Sequence, residues 1–355
     1  VRALLSAKRP VINAGQGVMN AGATDELVAF AELTGVPVLT TLAGKSGFPE
    51  THPLSLGCGA RTATGMAAKF LMESDFVLGI GTSFTVSVFG APAPDGATLA
   101  QVTNRAEDLH KDHPVDFGAV GDAKLVLEQM IAEARSQDAT ARAGVAEKIA
   151  ASRTEWLAEW ESRFGSDETP MSPYRVFREV ERAVDVANTV VTHDSGYPRD
   201  QLVPFWRPVT PRSYIGWGKS TQLGYGLGLA LGAKMARPES DVINFMGDAA
   251  FGMAGLDIET AARNGIGITT IILHNGVMTG YAANYMPVAA DVYGTHELGG
   301  NYAVVAEGLG AHAERIESPG AIGDAVRRAL GANSEGQPAV IEMMTKEEPN
   351  VSMYW

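Results

Sequence analysis

Val242-Ile243-Asn244-Phe245-Met246-Gly247-Asp248-Ala249, with Ile268-Thr269-Thr270-Ile271-Ile272-Leu273-His274-Asn275-Gly276 downstream, sets the reading of this chain. The order is apolar strand, acidic turn, helix, apolar strand, amide-bearing turn. Asn275 follows Asp248 by 27 residues. A carboxylate and an amide on the ends of two neighbouring strands can converge on one hard cation. Oxygen-rich, octahedral coordination of that kind suits magnesium holding a diphosphate. The spacing carries the signal. An isolated Gly-Asp-Ala means almost nothing, and Asp248 taken alone would simply cap the helix that follows it.

Working outward, Tyr174–Val186, Gly224–Arg237, Tyr302–Leu309 and Ala321–Leu330 read as helices. Thr189–His193, Ala313–Ile316 and Ala339–Met343 read as strands between them. The same alternation precedes it, with strands at Val11–Ala14, Val36–Thr40, Phe76–Ile80 and Thr98–Thr103. Helices there span Thr24–Thr34, stopped by Gly35, then Thr62–Met72 and Ala123–Ala134. Short apolar strands alternating with amphipathic helices imply parallel sheets covered on both faces. The fold class expected is α/β with two doubly wound parallel-sheet domains, residues 1–135 and 171–355. Between them 136–170 is a largely helical linker, anchored by Trp156 and Trp160 four residues apart. Ligands are expected at the carboxyl ends of the strands.

Composition excludes several classes. At 355 residues the chain is long enough for two cored domains. A net charge of −13 argues against a nucleic-acid partner. No apolar run approaches the ~18 residues needed to span a bilayer. One cysteine, Cys58, leaves no internal disulfide and fits a reducing, cytoplasmic setting. His110 and His113 have no further ligand cluster beside them, so a zinc site is not expected. The chain opens on Val1 and already inside an element, which reads as a cut, an internal start or a split gene.

These residues resemble the thiamine-diphosphate enzymes of the acetolactate synthase and 2-oxo acid decarboxylase group. That family's motif is Gly-Asp-Gly, a spacer and two asparagines. Here Ala249 replaces the third glycine and His274 the first asparagine. The added methyl of Ala249 tightens backbone approach to phosphate without blocking it. The resemblance implies thiamine diphosphate and Mg2+ as cofactors. It implies Asp248, Asn275 and the Val277 carbonyl as metal ligands. Gly247, Asp248, Ala249, Ala250, Asn275, Val277 and Met278 would form the cofactor-binding segment, with Tyr197 and Arg199 reaching the diphosphate. In Leu223-Gly224-Tyr225-Gly226-Leu227, Leu223 matches the apolar prop that bends the cofactor; taken alone it reads as core. Met278, Thr279 and Tyr281 would line the substrate pocket. Residues 1–134 resemble the family's Rossmann-like middle domain, on Gly44-Lys45-Ser46-Gly47-Phe48-Pro49-Glu50-Thr51-His52-Pro53 and Val120-Gly121-Asp122-Ala123. Some relatives hold FAD or an ADP moiety there, others nothing. Gly15-Gln16-Gly17 is half a dinucleotide fingerprint, left incomplete because residue 20 is Asn. A nucleotide is the less favoured expectation.

The resemblance also implies an activating glutamate from a separate N-terminal, pyrimidine-binding domain. No equivalent stands in these residues, so a partner chain or a lost segment is expected to supply it. A homo-oligomer, or a heteromer with such a domain, follows. The leading reading is a carboligase or decarboxylase acting on a 2-oxo acid. Phe251–Thr260 and Gly228 lean instead toward the 2-hydroxyacyl-CoA lyase and oxalyl-CoA decarboxylase branch, with an acyl-CoA substrate. Against either branch stand the missing flavin-segment arginine at Thr85-Val86-Ser87-Val88 and the absence of a basic CoA tail. A non-catalytic partner subunit is the third reading.

Overall fold

A computed structural model of the chain describes residues 1–216, 222–278 and 285–355. The chain divides into two compact units. The first comprises Val1–Glu159 with Arg207–Lys219 and Ser352–Trp355; the second comprises Trp160–Trp206 with Ser220–Val351.

In the first unit the strands are β1 (Pro10–Ala14), β2 (Val38–Thr40), β3 (Ser55–Cys58), β4 (Phe76–Ile80), β5 (Thr98–Thr103) and β6 (Phe117–Val120). They form one sheet in the order β3-β2-β1-β4-β5-β6, with every pair parallel. The order reverses between β1 and β4, which is the doubly wound pattern. Ile12, Phe30, Val36, Leu78, Val102 and Leu127 sit in its core, with the helices Thr24–Thr34 and Ala123–Ser136 packed together. The chain leaves Thr24–Thr34 through Gly35 at φ 65°, the expected left-handed stop.

The glycines of the half-fingerprint have a packing role. A Cβ on Gly15 would lie 2.3 Å from the Gly81 carbonyl oxygen, and one on Gly17 2.6 Å from the Gly81 Cα. They let the exits of β1 and β4 touch.

Residues 207–216 and the last four residues fall in the first unit for a visible reason. Lys45 and Glu50 of the Gly44–Pro53 segment form a fully buried ion pair at 2.5 Å. The Glu50 amide donates to the Pro208 carbonyl at 2.9 Å, and the Lys45 ammonium lies over the Tyr214 ring at 5.1 Å. These contacts hold residues 207–216, including the two-residue β8 (Tyr214–Ile215), in the first unit. The last residues are held there too. Ser352 accepts the Trp156 indole N–H at 3.1 Å and donates to the Ala63 carbonyl at 2.7 Å; Trp355 Nε1 donates to the Ala60 carbonyl at 3.0 Å.

The second unit carries β7 (Thr189–His193), β9 (Asp241–Gly247), β10 (Thr269–His274), β11 (His312–Ile316) and β12 (Ala339–Met344). They run parallel in the order β11-β12-β10-β9-β7. Both sheets thus have the expected doubly wound α/β build. The helix Tyr225–Ala236 lies on β7 and β9, while Ile322–Ser334 lies on β11 and β12 and packs on Pro173–Ala183. The expected linker contains a 20-residue helix, Val145–Phe164. Its Trp160 packs against Tyr174 and Phe205, each at 5.0 Å between ring centroids. Among the described residues no helix is long and apolar enough to cross a membrane.

Trp160 is 7% exposed. Its truncation to alanine is expected to cost the second unit about 3–5 kcal/mol, read as a lower urea midpoint. A loss under about 0.5 kcal/mol, the range of an ordinary surface change, would show that the aromatic cluster does not carry this packing.

Candidate cofactor and metal site

Parallel pairing brings the ends of β7, β9 and β10 to one edge of the second sheet, because these are consecutive neighbours. The chain leaves β7 as Asp194-Ser195-Gly196, β9 as Gly247-Asp248 and β10 as Asn275-Gly276-Val277. The residues of the opening motif therefore stand side by side.

Asp248 is 3% exposed. Its Oδ1 accepts the Ala249 amide at 2.8 Å and its Oδ2 the Gly276 amide at 2.8 Å. Burial pushes its carboxyl above the ordinary range, opposed by these amides, by His274 and by the Asn275 amide. The strand-end aspartate thus grips the turn after the neighbouring strand. Gly276 makes that turn at φ 72°, a left-handed conformation suited to glycine. Asn275 Oδ1 accepts the Val277 amide at 3.1 Å. The turn is braced from the far side, where Met278 donates to the His296 carbonyl at 2.7 Å and Leu298 to the Gly276 carbonyl at 2.8 Å. Those bonds use the Gly276 carbonyl and the Met278 amide, and leave the Val277 carbonyl out of the pairing.

The donor set suits a hard cation. Asp248 brings a buried carboxylate, Asn275 an amide oxygen and Val277 a backbone carbonyl. Among the described residues no cluster of three His, Cys, Asp or Glu side chains competes for a softer metal. Thiamine diphosphate would sit against Gly247, Asp248, Ala249 and Ala250, with its metal on the three oxygens. The Ala249 amide is already engaged by Asp248.

Of the other expected residues, Leu223 is half-buried and stands outside the core. Tyr197 is half-buried at the start of the helix Tyr197–Leu202. Arg199 on that helix is 4% exposed, and its Nε donates to Asp200 Oδ1 at 2.7 Å. Pro198 lies near Gly247, 3.8 Å from where a Cβ there would stand. Met278 is half-buried. Thr279 and Tyr281 lie outside the described residues.

Two groups at this edge were not among the expected ones. Asp194 and Ser195 bond the loop that carries Leu223. Glu342 in β12 is fully buried: Oε1 lies 2.6 Å from His274 Nδ1, and Oε2 accepts the Ala303 amide at 3.0 Å. Burial raises the Glu342 carboxyl, but His274, the Ala303 and Tyr302 amides and Arg315 together hold it below its ordinary value. His274 Nε2 stands 3.9 Å from Asp248 Oδ2, so the replaced asparagine position links Glu342 toward the motif aspartate. The signal was a lone glutamate inside Ala339-Val340-Ile341-Glu342-Met343-Met344, an otherwise apolar buried strand that needs a partner for its charge.

Comparison with known proteins places this architecture. Residues 1–130 match the thiamine pyrophosphate enzyme central domain, and residues 194–343 the thiamine pyrophosphate enzyme C-terminal TPP binding domain. The chain belongs to the thiamine pyrophosphate enzymes. It is 29% identical over 376 residues to a probable acetolactate synthase large subunit of Methanococcus aeolicus, covering 99% of this chain and 61% of that protein. The acetolactate synthase large subunit of Corynebacterium glutamicum is 30% identical over 374 residues (99% and 57%). The glyoxylate carboligase of Escherichia coli O157:H7 is 28% identical over 377 residues (99% and 62%). The chain thus spans about three fifths of the length of these curated relatives.

Glu342→Ala would leave His274 and two buried amides without their acceptor. The expected loss is about 3 kcal/mol, with Glu342→Gln costing roughly half as much because one acceptor survives. Urea denaturation of both variants reads the difference; equal midpoints for wild type and Glu342→Ala would refute the pairing.

Proposed function

We propose that this chain forms the diphosphate- and magnesium-binding part of an acetolactate synthase-like enzyme that makes or breaks a carbon–carbon bond beside a carbonyl of a 2-oxo acid. One observation carries the reading: Asp248 closes on the Asn275-Gly276 turn at 2.8 Å, at the ends of adjacent strands. Thiamine diphosphate, when bound, supplies an electron sink for cleavage next to the carbonyl. The residues here bind and orient. Asp248, Asn275 and the Val277 carbonyl hold Mg2+, and Leu223 supports the bent cofactor. The activating glutamate comes from a pyrimidine-binding domain outside these residues, in a homo-oligomer or a heteromer. A reducing, cytoplasmic setting agrees with buried Cys58, whose thiol burial pushes up to about 12.

A nucleotide such as FAD or ADP in the first unit gains support from one feature. A cavity of about 1220 Å³ opens there, lined by Gly15, Gly81, Thr103, Asn104, Arg105 and Asp122 among others. Several of these residues follow the carboxyl ends of β1, β4 and β5, where doubly wound sheets bind ligands.

Removing a direct ligand should exceed the roughly 10–100-fold loss that follows removal of an outer partner. Asp248→Ala is therefore expected to abolish Mg2+-dependent binding of thiamine diphosphate, measured by fluorescence titration with and without chelator. Unchanged affinity overturns the metal assignment. Assays on the full enzyme for CO2 from 2-oxo acids, and for release from acyl-CoA thioesters, separate the synthase-like reading from the lyase reading. Turnover of neither, with the pyrimidine-binding domain supplied, leaves a non-catalytic partner.

A further inference from the structure

The side chains of Asp194 and Ser195 grip the backbone on both sides of Leu223. Ser195 Oγ donates to the Gln222 carbonyl at 2.8 Å. Asp194 Oδ1 accepts the Ser195 amide at 2.8 Å, and Oδ2 accepts the Gly224 amide at 2.9 Å and the Gly226 amide at 3.2 Å. Asp194 is fully buried, and its own amide donates to the Phe245 carbonyl of β9 at 2.8 Å. The loop is therefore fastened to the same strand that delivers Asp248.

The glycines fit this arrangement. Gly224 has φ 89°, and a Cβ on it would lie 2.7 Å from the Ala254 Cβ. A Cβ on Gly226 would lie 2.9 Å from the His193 carbonyl and 2.7 Å from Asn244 Oδ1. Both allow the backbone amides to come close to the carboxylate.

We propose that Asp194, assisted by Ser195, is a positioning residue that holds Leu223 in register for the bound cofactor. This rests on the functional reading given above. The reason is geometric. A half-buried leucine in a loop has many positions open to it, and a carboxylate with three amide bonds leaves the backbone beside it one. Asparagine at 194 has the same shape but one acceptor oxygen, and turns an N–H2 toward an amide donor.

The test has two arms on the full chain. Hydrogen exchange followed at Gly224 and Gly226 reads the clamp without cofactor. Asp194→Asn is expected to speed exchange there about tenfold or more, as loss of a charge-assisted bond implies, with β9 and β10 unaffected. Thiamine diphosphate affinity in Mg2+, measured by fluorescence titration, reads the consequence. The variant is expected to bind about tenfold more weakly, with Ser195→Ala losing less. In a Leu223→Ala background the same Asp194→Asn change is expected to add almost nothing. Unchanged exchange overturns the clamp. An equal affinity loss with and without Leu223 reduces Asp194 to a structural part and overturns the positioning role. Wild-type protein that binds no thiamine diphosphate fails the functional reading, and the positioning role with it, while faster exchange in Asp194→Asn would then leave only a structural clamp. If Asp194→Asn does not fold, Ser195→Ala decides alone: unchanged affinity overturns the proposal.

Discussion

Asp194, Asp248 and Glu342 are buried in the second unit, and the need to satisfy them organises the loops at the site. A carboxylate taken out of water without partners carries a large free-energy cost. Each of Asp194, Asp248 and Glu342 accepts at least one backbone amide from a loop distant in sequence, and Glu342 also pairs with His274. An amide donor has to be brought to the carboxylate by the path of the chain. The turns at 222–226, 275–277 and 302–303 are thereby drawn to the strands that bear the acids. Parallel pairing supplies the other half of the constraint, because it sets the ends of β7, β9 and β10 along one edge.

The first unit solves its buried charge differently. Lys45 and Glu50 neutralise each other inside one short segment, and the segment then fastens residues 207–216 beside it. The segment Gly44–Pro53 thus has an architectural role in the first unit. The glycines Gly15, Gly17 and Gly81 let backbone approach backbone where they line the cavity. What the first unit offers a ligand is its cavity, at the switch between β1 and β4.

Much of this was legible in advance because parallel strands buried on both faces are apolar throughout. Val11–Ala14, Phe76–Ile80, Thr98–Thr103 and Val242–Met246 are short runs of that type, and each is a strand. β6 escaped the same reading because Phe117–Val120 is exposed at all four positions on a sheet edge. β3 escaped because Ser-Leu-Gly-Cys has neither alternation nor β-branched residues. Spacing drew Asp248 and Asn275 together as candidates, but not the bond from the Gly276 amide to Asp248. Nor did it mark Asp194, although that residue also follows an apolar strand directly, since amide partners leave no mark on a sequence. Arg199, suggested by residue type, lies buried on its helix with its Nε on Asp200.

On the proposed reading, charge alone links the metal to the cofactor. Asp248 is a buried anion, and a diphosphate brought beside it is another. At a separation of about 4 Å two unit charges repel by ~4 kcal/mol at an effective dielectric near 20. The amides of Ala249 and Gly276 stabilise the carboxylate but are consumed by it. A divalent cation between the two anions turns that repulsion into attraction on both sides. Metal and cofactor then raise each other's affinity by the same factor, as linkage requires. The hard-oxygen donor set and the amide-saturated aspartate are two aspects of one arrangement, in which Asp248 is held in place by backbone and left one charge short.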